Sequence, residues 1–275
     1  DPLGADHGHA CSEVFPARPS STADPDERGD RLERGAQHSL GFRKVSRYEH
    51  LFFDLDHTLW DFRGNSRETL REIFVAERLD EAGVPHVDEF IECYEEINLA
   101  MWAGYSAGRI PKEVLRVLRF RDALLRFGVK DNNLAARIGK EYVEHCPKKG
   151  MLMPGAREML DTVKERFKLH IITNGFDEVQ GVKLGASGIA SYFDVVLTSE
   201  RAGAPKPDPR IFQEALKRSR ASAKNSLMIG DNVEADMLGA RQAGWDHVHY
   251  TAETPPDALA THRIVHWKEL LPLLG

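Results

Sequence analysis

Residues 51–59 read Leu-Phe-Phe-Asp-Leu-Asp-His-Thr-Leu, an apolar, β-favouring run that stops on two carboxylates and a threonine. Positions two apart in a strand face the same side. Asp54 and Asp56 therefore start out aimed alike where the strand gives way to a loop. Two carboxylates so close repel each other and raise one pKa unless a cation sits between them. A strand running into an Asp-rich turn is the plain alternative, and packing alone gives no reason for this ending.

Later segments weigh against that alternative. Residues 169–173 (LHIIT) form a second apolar run that leads into Thr173-Asn174-Gly175, and residues 226–230 (SLMIG) a third that ends on Gly230-Asp231-Asn232. Between them stands Ala204-Pro205-Lys206-Pro207-Asp208-Pro209, a stiff loop that presents one lysine between two prolines. From Pro154 onward, short apolar runs alternate with helical stretches, the rhythm of βαβ units around a parallel sheet. The expected fold is α/β, with a Rossmann-like doubly wound parallel sheet. Such sheets bind ligands outside the carboxyl ends of their strands, where Asp54, Thr173, Lys206 and Asp231 are delivered.

Residues 65–147 interrupt this pattern with four amphipathic helices and no strand. Asn65 with Glu68 three residues later reads as an N-cap, and that helix is expected to end near Gly83. Asp88 reads as the cap of a second, with Phe90, Ile91, Tyr94, Ile97 and Met101 at helical spacing. Pro111 suits the first turn of a third, with Val114, Leu115, Leu118 and Leu125 as its apolar face. A fourth begins at Asn132 or Asn133 and stops before Pro147. These helices are expected to form a bundle inserted between core segments 48–64 and 148–275.

Composition sets outer bounds. Of 275 residues, 41% are hydrophobic and 29% charged, ordinary for a soluble globular chain. A net charge of −6 argues against a general nucleic-acid binder. Cys11, Cys93 and Cys146 suggest neither a disulfide framework nor a zinc site, so a reducing cytoplasm is expected. No apolar run reaches the ~20 residues that span a membrane, and no signal-peptide pattern is present. Residues 1–47, with Pro2, Pro16, Pro19, Pro25 and few apolar side chains, read as a disordered extension. The first methionine is Met101, so Asp1 does not read as an ordinary translation start.

The order of these segments, over residues 48–250, resembles the haloacid dehalogenase superfamily, whose members are mostly aspartate-based phosphatases. Asp54-Leu55-Asp56-His57-Thr58 matches its first signature, the strand ending on Thr173 its second, Lys206 its third and GDNVEAD (230–236) its fourth. Within it, DLDHTLWDF (54–62) and TNGF (173–176) are similar to the pyrimidine 5′-nucleotidase branch, which also takes non-standard nucleotides. The resemblance implies a magnesium-dependent phosphatase in which Asp54 is the nucleophile and Asp56 the proton donor and acceptor. It places the Asp54 side chain, the Asp56 backbone carbonyl and the Asp231 side chain on Mg2+, and Thr173, Asn174 and Lys206 on the phosphate. Thr58 and Asp236 support these groups from behind, and the helical insert becomes a cap. The expected partner is a small-molecule phosphate ester, a nucleoside monophosphate first, with the oligomeric state open.

Other roles are open to the same residues. Asp231 also suits a helix N-cap, Asp236 a solvated helical acid and Lys206 an exposed lysine. Trp60, Phe62, Trp102 and Tyr105 are candidates for stacking on a base, against core packing for each. His57 reads as a spacer. Sugar phosphates or other small metabolites are the alternative substrates. A haloalkanoate dehalogenase has no use for Asp56, because halide leaves without a proton, and a phosphomutase must exclude water. A phospho-accepting receiver domain, the non-enzyme rival, carries no four-helix insert.

Overall fold

The computed structural model describes residues 46–251 and 260–275. The extension expected to be disordered, and Cys11 with it, lies outside the described residues except for its last two positions. The run at residue 51 becomes β1 (His50–Phe53), buried along its length. It lies inside a six-stranded sheet with β2 (Lys168–Thr173), β3 (Phe193–Thr198), β4 (Ser226–Gly230), β5 (Asp246–Tyr250) and β6 (His262–Ile264). The order is β3-β2-β1-β4-β5-β6 and every pairing is parallel.

Both faces of this sheet are covered, which explains why its strands read as continuous apolar runs instead of alternating ones. Leu51, Phe53, Ile171 and Ile229 face one core, packed with Leu160 of α5 (Ala156–Val163) and with Trp267. Phe52, Ile172 and Met228 face the other, with Phe212 of α7 (Pro209–Ser219) and Trp245. Asp208 caps α7 through a 2.9 Å bond from the Arg210 N–H, with Pro209 next, as its sequence suggests. The register aligns Phe53 with Ile171 on one side and Ile229 on the other. All three central strands therefore release their next residues at one edge.

The insert forms α1 (Phe62–Ala76), α2 (Val87–Ser106), α3 (Lys112–Arg126) and α4 (Asn132–His145), packed on one another. Its boundaries differ from the sequence reading. Asp61, not Asn65, caps α1 by accepting the Gly64 N–H at 2.8 Å, and α1 ends at Ala76 well before Gly83. Asn65 is buried; its amide donates to the carbonyls of Asp61 and Met151 at 2.7 and 2.8 Å and accepts the Met151 N–H at 3.1 Å. It thus pins the outgoing and returning connections of the insert together, which needs an amide that both donates and accepts.

His86 occupies the N-cap of α2, with Asp88 inside the first turn, and Pro111 caps α3 instead of entering it. The buried face of α3 is Leu115, Arg119, Phe120, Ala123 and Leu124, while Val114 and Leu125 are exposed. Packing against α2 and α4 has rotated the helix toward a stripe that contains an arginine. Asp131 caps α4, accepting the N–H groups of Asn133 and Leu134 at 2.9 Å. No helix among the described residues is long and apolar enough to cross a membrane. Cys93 and Cys146 are free thiols.

Candidate active site

Asp54 directly follows β1, its N–H held by the Ile229 carbonyl at 2.9 Å. Lys206 reaches it from the proline loop. The Lys206 ammonium donates to Asp54 Oδ1 and to Asp236 Oδ1, each at 2.6 Å, and its side chain is 2% exposed. An ordinary surface lysine is thereby ruled out. Asn174 holds the loop from β2: its amide donates to the Lys206 carbonyl at 2.9 Å and accepts the Lys206 N–H at 2.8 Å. The Asn174 side chain is thus committed to placing Lys206, a duty the sequence did not reveal. Thr173 is buried and its Oγ1 accepts the Gly175 N–H at 3.1 Å, which leaves the hydroxyl proton to donate.

After β4 the chain makes a wide π-helical turn (Val233–Leu238), a form that recurs at functional sites. Asn232 caps it, accepting the N–H groups of Glu234 and Ala235 at 3.1 and 2.8 Å. The capping duty open to Asp231 has gone to its neighbour. Asp231 accepts the Thr58 hydroxyl at 3.0 Å instead. The turn carries Asp236 back under Gly230, where a Cβ would lie 2.2 Å from its Oδ2. Asp236 is fully buried, and that oxygen takes the Asn232 N–H at 3.1 Å. It is no solvated acid.

Burial pushes Asp54 up to about 7, against the pull of Lys206 and with the push of Asp236. Burial, then the charge of Asp54, lifts Asp231 to about 6. Asp236 is raised by burial too, with Lys206 opposing. Burial disfavours the Lys206 ammonium, yet Asp236 and Asp54 hold its pKa above the ordinary value. Oxygens of Asp54, Asp231 and Asp236 lie within 4.8 Å of one another. When all three are ionised, the carboxylates facing one ammonium leave two negative charges, and hard oxygen donors in that balance fit a magnesium ion.

Asp56 lines the same cavity but is paired with a different cation. Lys183 of α6 (Asp177–Ala186) donates to both of its oxygens, at 2.6 and 2.8 Å, and lies 4.6 Å over the Trp60 ring. The sequence reading missed Lys183. Its one signal was a place on a helical stripe with Gln180, Leu184 and Ser187, all buried. His57, at φ +64, forms the tight turn that separates the two acids from Thr58.

These groups floor a cavity of about 680 Å3 whose roof comes from Phe62, Asn98 and Trp102, among others. Of the four aromatic candidates, Phe62 and Trp102 line the cavity and Trp60 and Tyr105 do not. Trp60 is fully buried, with its indole N–H on the Lys149 carbonyl at 3.0 Å. Tyr105 lies behind Trp102, and both rings pack on Phe176, at 5.4 and 5.0 Å. Phe176 follows Thr173-Asn174-Gly175, so the second signature also supplies the seat for the helical layer. Lys112 and Arg116 of α3 close over the same ring and pair with Glu178, and Lys112 also with Glu200 at 2.7 Å.

The family model of the haloacid dehalogenase-like hydrolases matches residues 48–244, from just before β1 to beyond the π-helical turn. The chain belongs to this family. Among curated relatives of this haloacid dehalogenase-like hydrolase, pyrimidine 5′-nucleotidase PynA of Streptococcus pneumoniae is 32% identical, over 82% of this chain and 95% of that protein. Pyrimidine 5′-nucleotidase YjjG of Escherichia coli is 31% identical, over 83% and 98%. The HAD-hydrolase YfnB of Bacillus subtilis, solved bound to magnesium, superposes with a TM-score of 0.75 at 27% identity, over 83% of this chain and 99% of that one.

Proposed function

We propose that this phosphoric monoester hydrolase is a magnesium-dependent 5′-nucleotidase for pyrimidine nucleoside monophosphates, non-standard ones included, working through an aspartyl-phosphate on Asp54. The observation that carries the chemistry is the buried Lys206 between Asp54 and Asp236 at the floor of the cavity. A carboxylate fixed by an ammonium at a strand end is placed to attack phosphorus, and the same ammonium offsets charge on the transferring group. The Asp54 oxygen forms the new bond to phosphorus as the ester P–O bond breaks, and the leaving oxygen takes a proton from Asp56, which must first turn from Lys183 and take up that proton. Water then gives a proton to Asp56 and attacks phosphorus, which frees Asp54 and inorganic phosphate.

Asp54, Asp231 and the Asp56 carbonyl would hold magnesium, which supplies positive charge for the phosphoryl oxygens. Thr173 offers its hydroxyl to the phosphate. Two acids two residues apart favour ester hydrolysis over dehalogenation, which needs no proton donor. The pyrimidine part is supported by what PynA and YjjG are named for and by Phe62 and Trp102 in the cavity wall. A cavity of about 680 Å3 suits a mononucleotide, within the ~300–1,000 Å3 range of small-ligand sites. The test compares kcat/KM for UMP, dUMP and dTMP with that for AMP, GMP and a hexose phosphate, with and without excess chelator. Pyrimidine nucleotides should lead and chelation should stop turnover. Tenfold or better turnover of purine nucleotides or sugar phosphates would remove the nucleotidase reading, and full activity in chelator the magnesium.

A further inference from the structure

Tyr94, Asn98 and Trp102 recur every four residues on α2 and line the cavity together. Asn98 is 8% exposed, and behind it lies Arg119 of α3, 3% exposed. The Arg119 Nη1 donates to Asn98 Oδ1 at 2.8 Å, and the Tyr94 hydroxyl donates to the same oxygen at 3.4 Å. A guanidinium carries donors and no acceptor. The oxygen of the amide must therefore face Arg119 and the nitrogen must face away, so chemistry fixes an orientation that shape alone leaves open. Among the described residues no protein acceptor takes Asn98 Nδ2. The cavity wall thus presents N–H donors from a side chain that is not free to flip.

Arg119 is itself unusual. A buried cation is costly unless paired, and among the described residues no carboxylate pairs with it, while its Nε has no partner. The rings of Tyr94, Phe120 and Tyr142 lie 5.7, 5.0 and 4.9 Å from its guanidinium carbon, and such contacts offset part of that cost. A buried arginine packed among aromatic rings serves well as a rigid donor, and what it holds is Asn98.

We propose that Asn98 reads a carbonyl oxygen on the base of the substrate, with Arg119 as the positioning residue that keeps its donors turned to the cavity. This inference rests on the nucleotidase reading and narrows it to 4-oxo pyrimidines. A nucleotide held by its phosphate at the sheet presents the far edge of its base to the helices. Position 4 lies opposite the glycosidic nitrogen; uracil and thymine carry an acceptor there and cytosine an amino donor. Donors facing the cytosine amino group leave buried polar groups unpaired, which is how such sites reject an analogue.

The test measures kcat/KM for UMP and CMP on the same preparation of each full-length protein, with p-nitrophenyl phosphate alongside. The native protein should favour UMP by tenfold or more. Asn98→Asp keeps an oxygen on Arg119 and turns an acceptor to the cavity, so the UMP-to-CMP ratio should move at least tenfold toward CMP. Arg119→Met frees the amide to flip and should bring the ratio toward one, and Arg119→Lys should restore part of it. A ratio cancels any loss of folded protein, and Asn98→Asp decides the matter even where Arg119→Met does not fold. An unchanged ratio in Asn98→Asp, or a native protein that takes CMP as readily as UMP, overturns the inference while the nucleotidase reading stands. A native protein active on p-nitrophenyl phosphate and inert on every pyrimidine nucleotide overturns both. Discrimination retained in folded Arg119→Met removes the positioning role.

Discussion

At the sheet end of the cavity a buried lysine has two carboxylates at 2.6 Å, whereas at the helical end a buried arginine has three rings and an amide oxygen. The first arrangement is a set of full charges that neutralise one another and crowd at one point. The second is a single cation dispersed over neutral partners. A site that handles a phosphoryl group needs strong, fixed charges where charge develops. A site that sorts neutral bases needs directed donors, and a further carboxylate beside Asn98 would compete for its amide. The two ends therefore bury cations for different ends, and their mutants should behave differently.

The sharpest break comes from Asp54→Asn, which keeps the size and removes the nucleophile. Turnover is expected to fall by about 10⁴-fold or more in a protein whose circular dichroism is native. Substantial residual activity in a homogeneous preparation would detach the floor from catalysis.

Lys206→Met and Arg119→Met compare the two cations directly. Loss of Lys206 leaves Asp54 and Asp236 buried without a counter-ion, and breaking a buried pair costs about 3–5 kcal/mol. Loss of Arg119 removes one charge-assisted hydrogen bond, about 1.5–3 kcal/mol, and leaves the Asn98 oxygen with the longer Tyr94 contact. Urea denaturation at neutral pH should rank them in that order, and the reverse ranking would mean that the two cations do not differ in this way.

Metal should act at the floor alone, and with a definite pH dependence. The folded pKa values of Asp54 and Asp231, about 7 and about 6, stand above the unfolded value of 3.8. Without metal the folded protein thus holds protons that the unfolded chain has released, and stability from these groups is lost as pH rises from about 4 to 7. Magnesium competes with those protons. Its thermal shift should be larger at pH 8 than at pH 5, by differential scanning fluorimetry, and an equal shift at both would place the ion elsewhere.

The smallest effect is expected where floor meets roof. Lys112 pairs with Glu178 and Glu200 at half-exposed positions, and such pairs contribute about 0–1 kcal/mol. Lys112→Ala should leave the melting temperature nearly unchanged and raise KM a few-fold by loosening the helical layer, with kcat less affected. A large loss of stability would show that Phe176 and its cationic cover form part of the core.

The floor was legible because its residues are local to strand ends. A parallel sheet aligns the ends of β1, β2 and β4, so apolar runs stopping at Asp54, Thr173 and Asp231 already predict convergence, and two prolines mark Lys206. The sequence by itself thus determined the sheet, the existence of an inserted helical layer and the convergent acids. The roof was legible only as helices. Asn98 and Arg119 lie 21 residues apart on different helices, and Lys183 meets Asp56 across 127 residues. Helical periodicity marks the face that is apolar on average; it puts Lys183 on a stripe without showing what the stripe meets, and it gives no sign that Arg119 is admitted to the core. Only tertiary packing decided that α3 turns Arg119 inward and Val114 outward, that Trp60 belongs to the core, and that Asn232 caps the turn and leaves Asp231 to the site. The physical reason is that an unpaired buried polar group is too costly to keep, and its partner, being distant in the chain, is supplied by the fold.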